Sequence, residues 1–170
     1  MLHLITGGAR SGKSRYAQEW ALSQSAQPVY VATARVWDTD FAERIQRHKS
    51  ERGPVWVNYE TELHVSQLPL DNRTVVIDCV TLWLTNFFEA HQYHTNNTLQ
   101  AIQAEIDTLH QKAGTFILVT NEIGMGVHAE TEAGRKFTDL QGWVNQYIAR
   151  IAGTVTLMVS GIPVVIKKDA

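Results

Sequence analysis

The stretch "LITGGARSGKSRYAQ", residues 4–18, decides how the rest of this 170-residue chain is read. A short apolar run ends in glycines, Gly-Lys-Ser follows, and a helix-like segment begins. Gly7-Gly8-Ala9-Arg10-Ser11-Gly12-Lys13-Ser14 fits G-x-x-x-x-G-K-[ST] with a strand before it and a helix after it, the context that gives the pattern meaning. Glycines let such a loop wrap a phosphate with its backbone N–H groups turned inward. The helix that follows adds the positive end of its dipole. Lys13 is expected to reach the β- and γ-phosphates of a nucleoside triphosphate, and the Ser14 hydroxyl to ligate Mg²⁺.

Moving outward, Leu2–Thr6, Val29–Thr33, Thr74–Cys79, Thr115–Asn121, Val155–Ser160 and Pro163–Lys167 read as strands. Most are rich in Val and Ile and apolar at successive positions, which suits a sheet covered on both faces. Lys13–Gln24, Asp38–Lys49, Thr81–Ala90, Asn97–Lys112 and Glu130–Ala152 read as helices; Leu99, Ile102, Ile106 and Leu109 fall on one face of the fourth. Alternating strands and helices imply an α/β fold with a mainly parallel sheet. Only Ser160-Gly161-Ile162 separates the last two strands, so an antiparallel hairpin should end the sheet. "SERGPVWVNYETE" and "LPLDNRT" read as loops, and "AHQYHTNN" (90–97) as an exposed loop between helices. With no repeat and no convincing linker, residues 1–170 are expected to form one domain.

Composition narrows the function. The chain is 44% hydrophobic and 19% charged with net charge −2, so nothing electrostatic marks nucleic acid as the main partner. One cysteine, Cys79, excludes an intramolecular disulfide and reads as a buried strand thiol. No uncharged apolar run has the length of a membrane span, and "MLHLITGG" lacks the features of a signal peptide, so a cytoplasmic location is expected.

Two further segments bear on the chemistry. "TVVIDCVT" is an apolar strand ending in Asp78, placed to hold Mg²⁺ directly or through water, or to cap the next helix. "ERIQRHKSER" (43–52) gathers Arg44, Arg47, His48, Lys49 and Arg52, and on a helix Arg44 and His48 share a face. Such a patch can clamp a triphosphate, and its cations favour a neutral imidazole, which is a nucleophile. Read alone, the segment is better taken as a solvated basic helix face with an incidental histidine. Thr120-Asn121-Glu122-Ile123 lacks the Lys and Asp of a guanine-reading Asn-Lys-x-Asp segment, which argues against a switch GTPase. A small-molecule kinase remains open. Asn121 and Glu122 end a strand where α/β ligands sit. His3, His64, His91, His94, His110 and His128 form no clear ligand set or triad and read as surface or loop residues; Trp20 and Trp83 read as core, Trp37 and Trp56 as candidate substrate contacts.

"TGGARSGKSRYA" (6–17), "VYVATA" (29–34), "RIQRHKSER" (44–52), "VIDCVTLWLTN" (76–86), "LVTNEIGMGV" (118–127), "FTDLQGWVNQ" (137–146) and "LMVSGIPVVIK" (157–167) together resemble the bifunctional adenosylcobinamide kinase/adenosylcobinamide-phosphate guanylyltransferase family, in family order over nearly the full length. The resemblance implies an α/β, P-loop NTPase-like (RecA-like) fold. It implies phosphorylation of adenosylcobinamide by GTP or ATP, then transfer of GMP from GTP to adenosylcobinamide phosphate through a GMP-histidine at His48, a step in coenzyme B12 nucleotide-loop assembly. Carried over by motif, the catalytic residues are His48 and Lys13. The nucleotide contacts are Gly7, Gly8, Ala9, Arg10, Ser11, Gly12, Lys13, Ser14, Ala32, Thr33, Ala34, Lys49, Ser50, Glu51, Arg52, Glu60 and Asp78, with Mg²⁺ on Ser14 and Asp78. Glu60, aligned through "WVNYE" with Glu62 as a rival, would read guanine. The resemblance also implies a homotrimer. Thr138, Trp143 and His128-Ala129-Glu130 depart from the family pattern outside the nucleotide motifs. The alternatives are a plain P-loop kinase without guanylyl transfer, a guanylyltransferase that has lost the kinase step, and a non-catalytic nucleotide-binding module.

Overall fold

Every residue of Leu2–Gly7 is buried, because this first strand, β1, has a neighbour on each side and helices over each face. The computed structural model describes residues 1–35 and 52–169. The expected helix Asp38–Lys49, together with Trp37, Ser50 and Glu51, lies outside the described residues. After β1 come α1 (Lys13–Gln24), β2 (Val29–Ala32), β3 (Val57–Glu60), β4 (Arg73–Asp78), α2 (Val80–Ala90), α3 (Thr95–Gln111), β5 (Gly114–Val119), α4 (Glu132–Ile151), β6 (Thr154–Val159) and β7 (Ile162–Lys168). The described strands form one sheet in the order β3-β2-β4-β5-β1-β6-β7. All pairs are parallel except β6 with β7.

Helices cover both faces. Ala17 and Ala21 of α1 pack on Ile5, Val76, Ile117 and Val119. On the opposite face Leu4, Val31, Ile77, Phe116 and Leu118 meet Trp83 and Leu84 of α2, Ile102 and Ile106 of α3, and Leu140 and Val144 of α4. Successive strand residues point to opposite faces, so a doubly covered sheet needs apolar side chains at both parities. Helix ends follow local chemistry. Thr131 caps α4 by accepting from the Gly134 N–H at 3.0 Å, with Glu132 in the first turn and Arg150 in the last, each suited to the dipole. The closing hairpin turns on Ser160 (φ 51°) and Gly161 (φ 85°), two left-handed residues between the paired Val159 and Ile162, as a tight two-residue turn requires.

Some expectations need correction. Val57–Glu60, read as part of a loop, is edge strand β3; it is short and alternates half-buried with exposed residues, so a search for continuous apolar runs passes over it. The loop before α3 is only a tight turn, with the helix already under way at Thr95. His3 is not a surface residue: it is buried, its Nε2 2.9 Å from Thr156 Oγ1 and its ring edge-on to Trp20. Trp20 itself is only half-buried, whereas Trp83 is fully enclosed and donates its indole N–H to the Leu63 carbonyl. Among the described residues no helix is long and apolar enough to cross a membrane.

Candidate nucleotide site

Parallel register brings the C-terminal ends of the strands level. Ala32 pairs with both Glu60 and Asp78, Asp78 with Val119, and Ile5 with Val119, while Gly7 lies opposite Met158. The phosphate loop leaves β1 at this edge. Gly7 has φ 148°, and a Cβ on it would lie 2.6 Å from the Met158 carbonyl oxygen, so only glycine fits. Arg10 (φ 56°) and Gly12 (φ 92°) turn the loop back, Ser11 N–H donates to Gly8 O, and Gly161 N–H donates to Ser11 O at 3.0 Å, bracing the loop on the hairpin. α1 then starts with no side-chain cap and no acidic residue in its first turn, leaving its N–H groups for an anion.

Lys13 Nζ donates to the Gly8 carbonyl at 2.6 Å, folded along the loop it serves. Burial pulls its ammonium below the usual lysine value, opposed first by the charge of Asp78 and also by that of Glu122. Cys79 is inert: burial, followed by Asp78, pushes its thiol up to about 12.

Asp78 stands two strands from β1, about 10 Å away at the usual strand spacing. It does not cap α2. Its Oδ2 accepts from the Tyr30 hydroxyl at 2.7 Å. Burial first, and then Asp78, hold Tyr30 protonated well above the usual phenol value. The Arg52 guanidinium lies 3.7 Å from the Tyr30 ring centroid and donates Nε–H to Asn58 Oδ1 at 3.0 Å. So the described end of the basic segment rests on the tyrosine that orients Asp78. Trp56, a candidate substrate contact by sequence, is buried edge-on against the same ring.

Ala34, Arg35, Glu60, Thr61 and Glu62 line an open cleft of about 490 Å³ beyond the ends of β2 and β3. Ala34 and Glu60 thus line one cleft, with Glu62 beside them. Thr33 is fully buried, its hydroxyl donating to the Cys79 carbonyl at 2.8 Å, so its side chain shapes the site from behind. Asn86, which sequence reading passed over, is buried and donates to the carbonyls of Thr33 (2.8 Å) and Glu62 (2.9 Å), tying both sides of the cleft. His48, Lys49, Ser50 and Glu51 lie outside the described residues.

The donor set can be tested against a metal. Among the described residues no group of three or more His, Cys, Asp or Glu could hold an ion alone. Ser14 stands at the first turn of α1, and Asp78 keeps Oδ1 free of the Tyr30 bond. One hydroxyl and one carboxylate, completed by water and substrate phosphates, suit Mg²⁺, which seldom takes an all-protein cage.

Residues 3–166 match the model of a family described as cobinamide kinase / cobinamide phosphate guanyltransferase. The chain belongs to that family. It is 38% identical to the bifunctional adenosylcobalamin biosynthesis protein CobU of Escherichia coli (strain K12), with 98% of this chain and 100% of that protein covered. It is 35% identical to the bifunctional adenosylcobalamin biosynthesis protein CobP of Pseudomonas aeruginosa, with 99% of each covered. Among solved structures, the flagellar accessory protein FlaH of Methanocaldococcus jannaschii superposes with TM-score 0.53 at 14% identity, over 99% of this chain and 78% of that one, a likeness of fold alone. In this CobU-family chain the departures at Thr138 and Trp143 fall on α4: Thr138 bonds back to the Gly134 carbonyl, and Trp143 is exposed.

Proposed function

We propose that this chain phosphorylates the aminopropanol hydroxyl of adenosylcobinamide with GTP or ATP, then transfers GMP from GTP to adenosylcobinamide phosphate. The observation that carries the reading is the family match over residues 3–166, joined to a phosphate loop facing Asp78 at one sheet edge. Lys13 and the loop N–H groups would bind the triphosphate, with Ser14 and Asp78 holding Mg²⁺. When bound, Mg²⁺ supplies positive charge against the phosphate oxygens.

Guanylyl transfer would run through His48. Its imidazole nitrogen attacks the α-phosphorus of GTP; a P–N bond forms, the α–β bridging bond breaks, and pyrophosphate leaves with the electron pair. An oxygen of cobinamide phosphate then attacks the same phosphorus, the P–N bond breaks, and the imidazole returns. Arg44, Lys49 and Arg52 would steady the phosphates, and Glu60 would accept from guanine N1–H and its amino group. This reading treats residues 1–170 as one cytoplasmic domain. It also makes the assembly a homotrimer, which fits the exposed Val159, Ile162, Val164, Val165 and Ile166 of the closing hairpin.

The test is product analysis by mass spectrometry on purified protein with adenosylcobinamide, Mg²⁺ and GTP, with ATP in a parallel arm. Adenosylcobinamide phosphate followed by adenosyl-GDP-cobinamide supports the reading. Phosphate ester alone means a plain kinase, and no turnover with nucleotide bound means a non-catalytic module.

A further inference from the structure

Two motifs far apart in sequence, "TNEIG" after β5 and "LQGWVNQ" within α4, meet at one carboxylate. Thr120 N–H donates to Ile5 O and Glu122 N–H to Gly7 O at 3.1 Å, so the chain beyond β5 continues along β1 to the phosphate loop. There Glu122 Oε1 accepts from Thr6 Oγ1 at 2.5 Å and from Asn145 Nδ2 at 3.2 Å. Asn145 is held in turn: its Oδ1 accepts from Thr120 Oγ1 (2.8 Å) and Gln141 Nε2 (2.9 Å), and its Nδ2 also donates to the Asn121 carbonyl. Thr120, Gln141 and Asn145 are buried. Asn121 is fixed from the other side by Thr81 Oγ1.

Buried polar groups cost desolvation unless they are bonded, so the bonds made here hold Asn145 in one orientation, while Gln141 Oε1 has no partner among the described residues. That orientation fixes one oxygen of Glu122. Among the described residues the other, Oε2, makes no hydrogen bond, and no cation lies within ion-pair distance of the carboxylate. The Glu122 N–H bond to the Gly7 carbonyl and the Thr6 bond to its carboxylate hold this side chain beside the residues from which the phosphate loop departs. It extends from β5, the strand between β1 with its loop and β4 with Asp78.

We propose that Glu122 is the catalytic base of the phosphorylation step, with Asn145, Gln141 and Thr6 as its positioning residues; this rests on the kinase half of the reading above. The acceptor hydroxyl oxygen attacks the terminal phosphorus and forms the new P–O bond. The β–γ bridging bond breaks, its electron pair leaves with the nucleoside diphosphate, and the hydroxyl proton passes to Glu122 Oε2. In guanylyl transfer the acceptor is a phosphate oxygen that is already ionised, so there is no such proton to remove. Glu122 therefore matters to one half-reaction far more than to the other.

The experiment is Glu122→Gln, whose amide oxygen can keep both bonds to Thr6 and Asn145 while losing basicity. Adenosylcobinamide phosphorylation and guanylyl transfer to preformed adenosylcobinamide phosphate are assayed separately over pH. We expect kcat for phosphorylation to fall by about 10²-fold or more, at least tenfold further than guanylyl transfer, with nucleotide KM little changed and the acid limb of the phosphorylation profile lost. Phosphorylation within about threefold of wild type, or an equal fall in both reactions, overturns the assignment. Should the variant not fold, Glu122→Asp decides: it keeps a carboxylate but draws it back by one methylene, so a fall in phosphorylation at least about tenfold larger than that in guanylyl transfer supports the base, and an equal fall in both, or none, overturns it. Wild type that makes no cobinamide phosphate at all refutes the kinase reading instead.

Discussion

The Tyr30 hydroxyl donates to Asp78 Oδ2 at 2.7 Å, joining the body of β2 to the end of its parallel neighbour β4. The bond holds Oδ2 and leaves Oδ1 out of it. Tyr30→Phe keeps the ring under Arg52 and removes only the hydroxyl. We expect rates to fall about tenfold, in keeping with loss of a hydrogen bond to a charged group, and the Mg²⁺ concentration for half-maximal rate to rise. Mg²⁺ titrations of both half-reactions check this, and an unaltered midpoint would sink the orienting role.

Lys13 bonds to the loop it belongs to, so removing it leaves the sheet and core untouched. Lys13→Ala should depress both half-reactions by about 10²-fold or more, since both use one triphosphate cradle. Its melting temperature should stay close to wild type. Calorimetric titration with GTP and a thermal melt test the two parts separately.

For His48→Ala the expectation is selective: no guanylyl transfer, with cobinamide phosphorylation spared. Intact-protein mass spectrometry after GTP and Mg²⁺ should reveal an acid-labile GMP adduct in wild type and none in the variant. Normal guanylyl transfer by His48→Ala would falsify the covalent route.

His3 predicts a pH dependence of stability. Burial lowers its pKa from 6.5 to about 4. The unfolded chain therefore binds the proton more readily, and stability is complete above pH 6.5 and is lost as pH falls toward 4. The difference corresponds to about 3 kcal/mol at most. Denaturant melts between pH 7 and 4.5 should show His3→Gln losing less stability on acidification than wild type. Parallel slopes for the two proteins would mean that the imidazole is not desolvated as described.

What was legible in the sequence follows from how local each signal is. The loop Gly7–Ser14 and helix Lys13–Gln24 were readable to the residue, because turn, dipole and phosphate chemistry impose residue types at fixed spacing. The sheet class followed from apolar runs, and the hairpin from a link too short for a crossover. Edge strand Val57–Glu60 escaped because four residues with one covered face resemble a loop. The surroundings of Glu122 escaped because its partners Thr6 and Asn145 lie 116 and 23 residues away and only strand order and helix packing unite them. His3 was misread because a single histidine among apolar residues does not announce that both its neighbouring strands enclose it.

The level strand ends have a consequence for how this chain tolerates length changes. β4 and β5 pair without a break from Arg73↔Gly114 to Asp78↔Val119, and β5 pairs with β1 up to Ile5↔Val119. A residue deleted within β5 would reverse the facing of every side chain beyond it and draw Glu122 back by about one 3.3 Å step. The same deletion in the turn at 91–94 would leave the three ends aligned. Part of the reaction geometry is thus encoded as strand length, and a single-residue deletion scan should find intolerant windows at the ends of β1, β4 and β5.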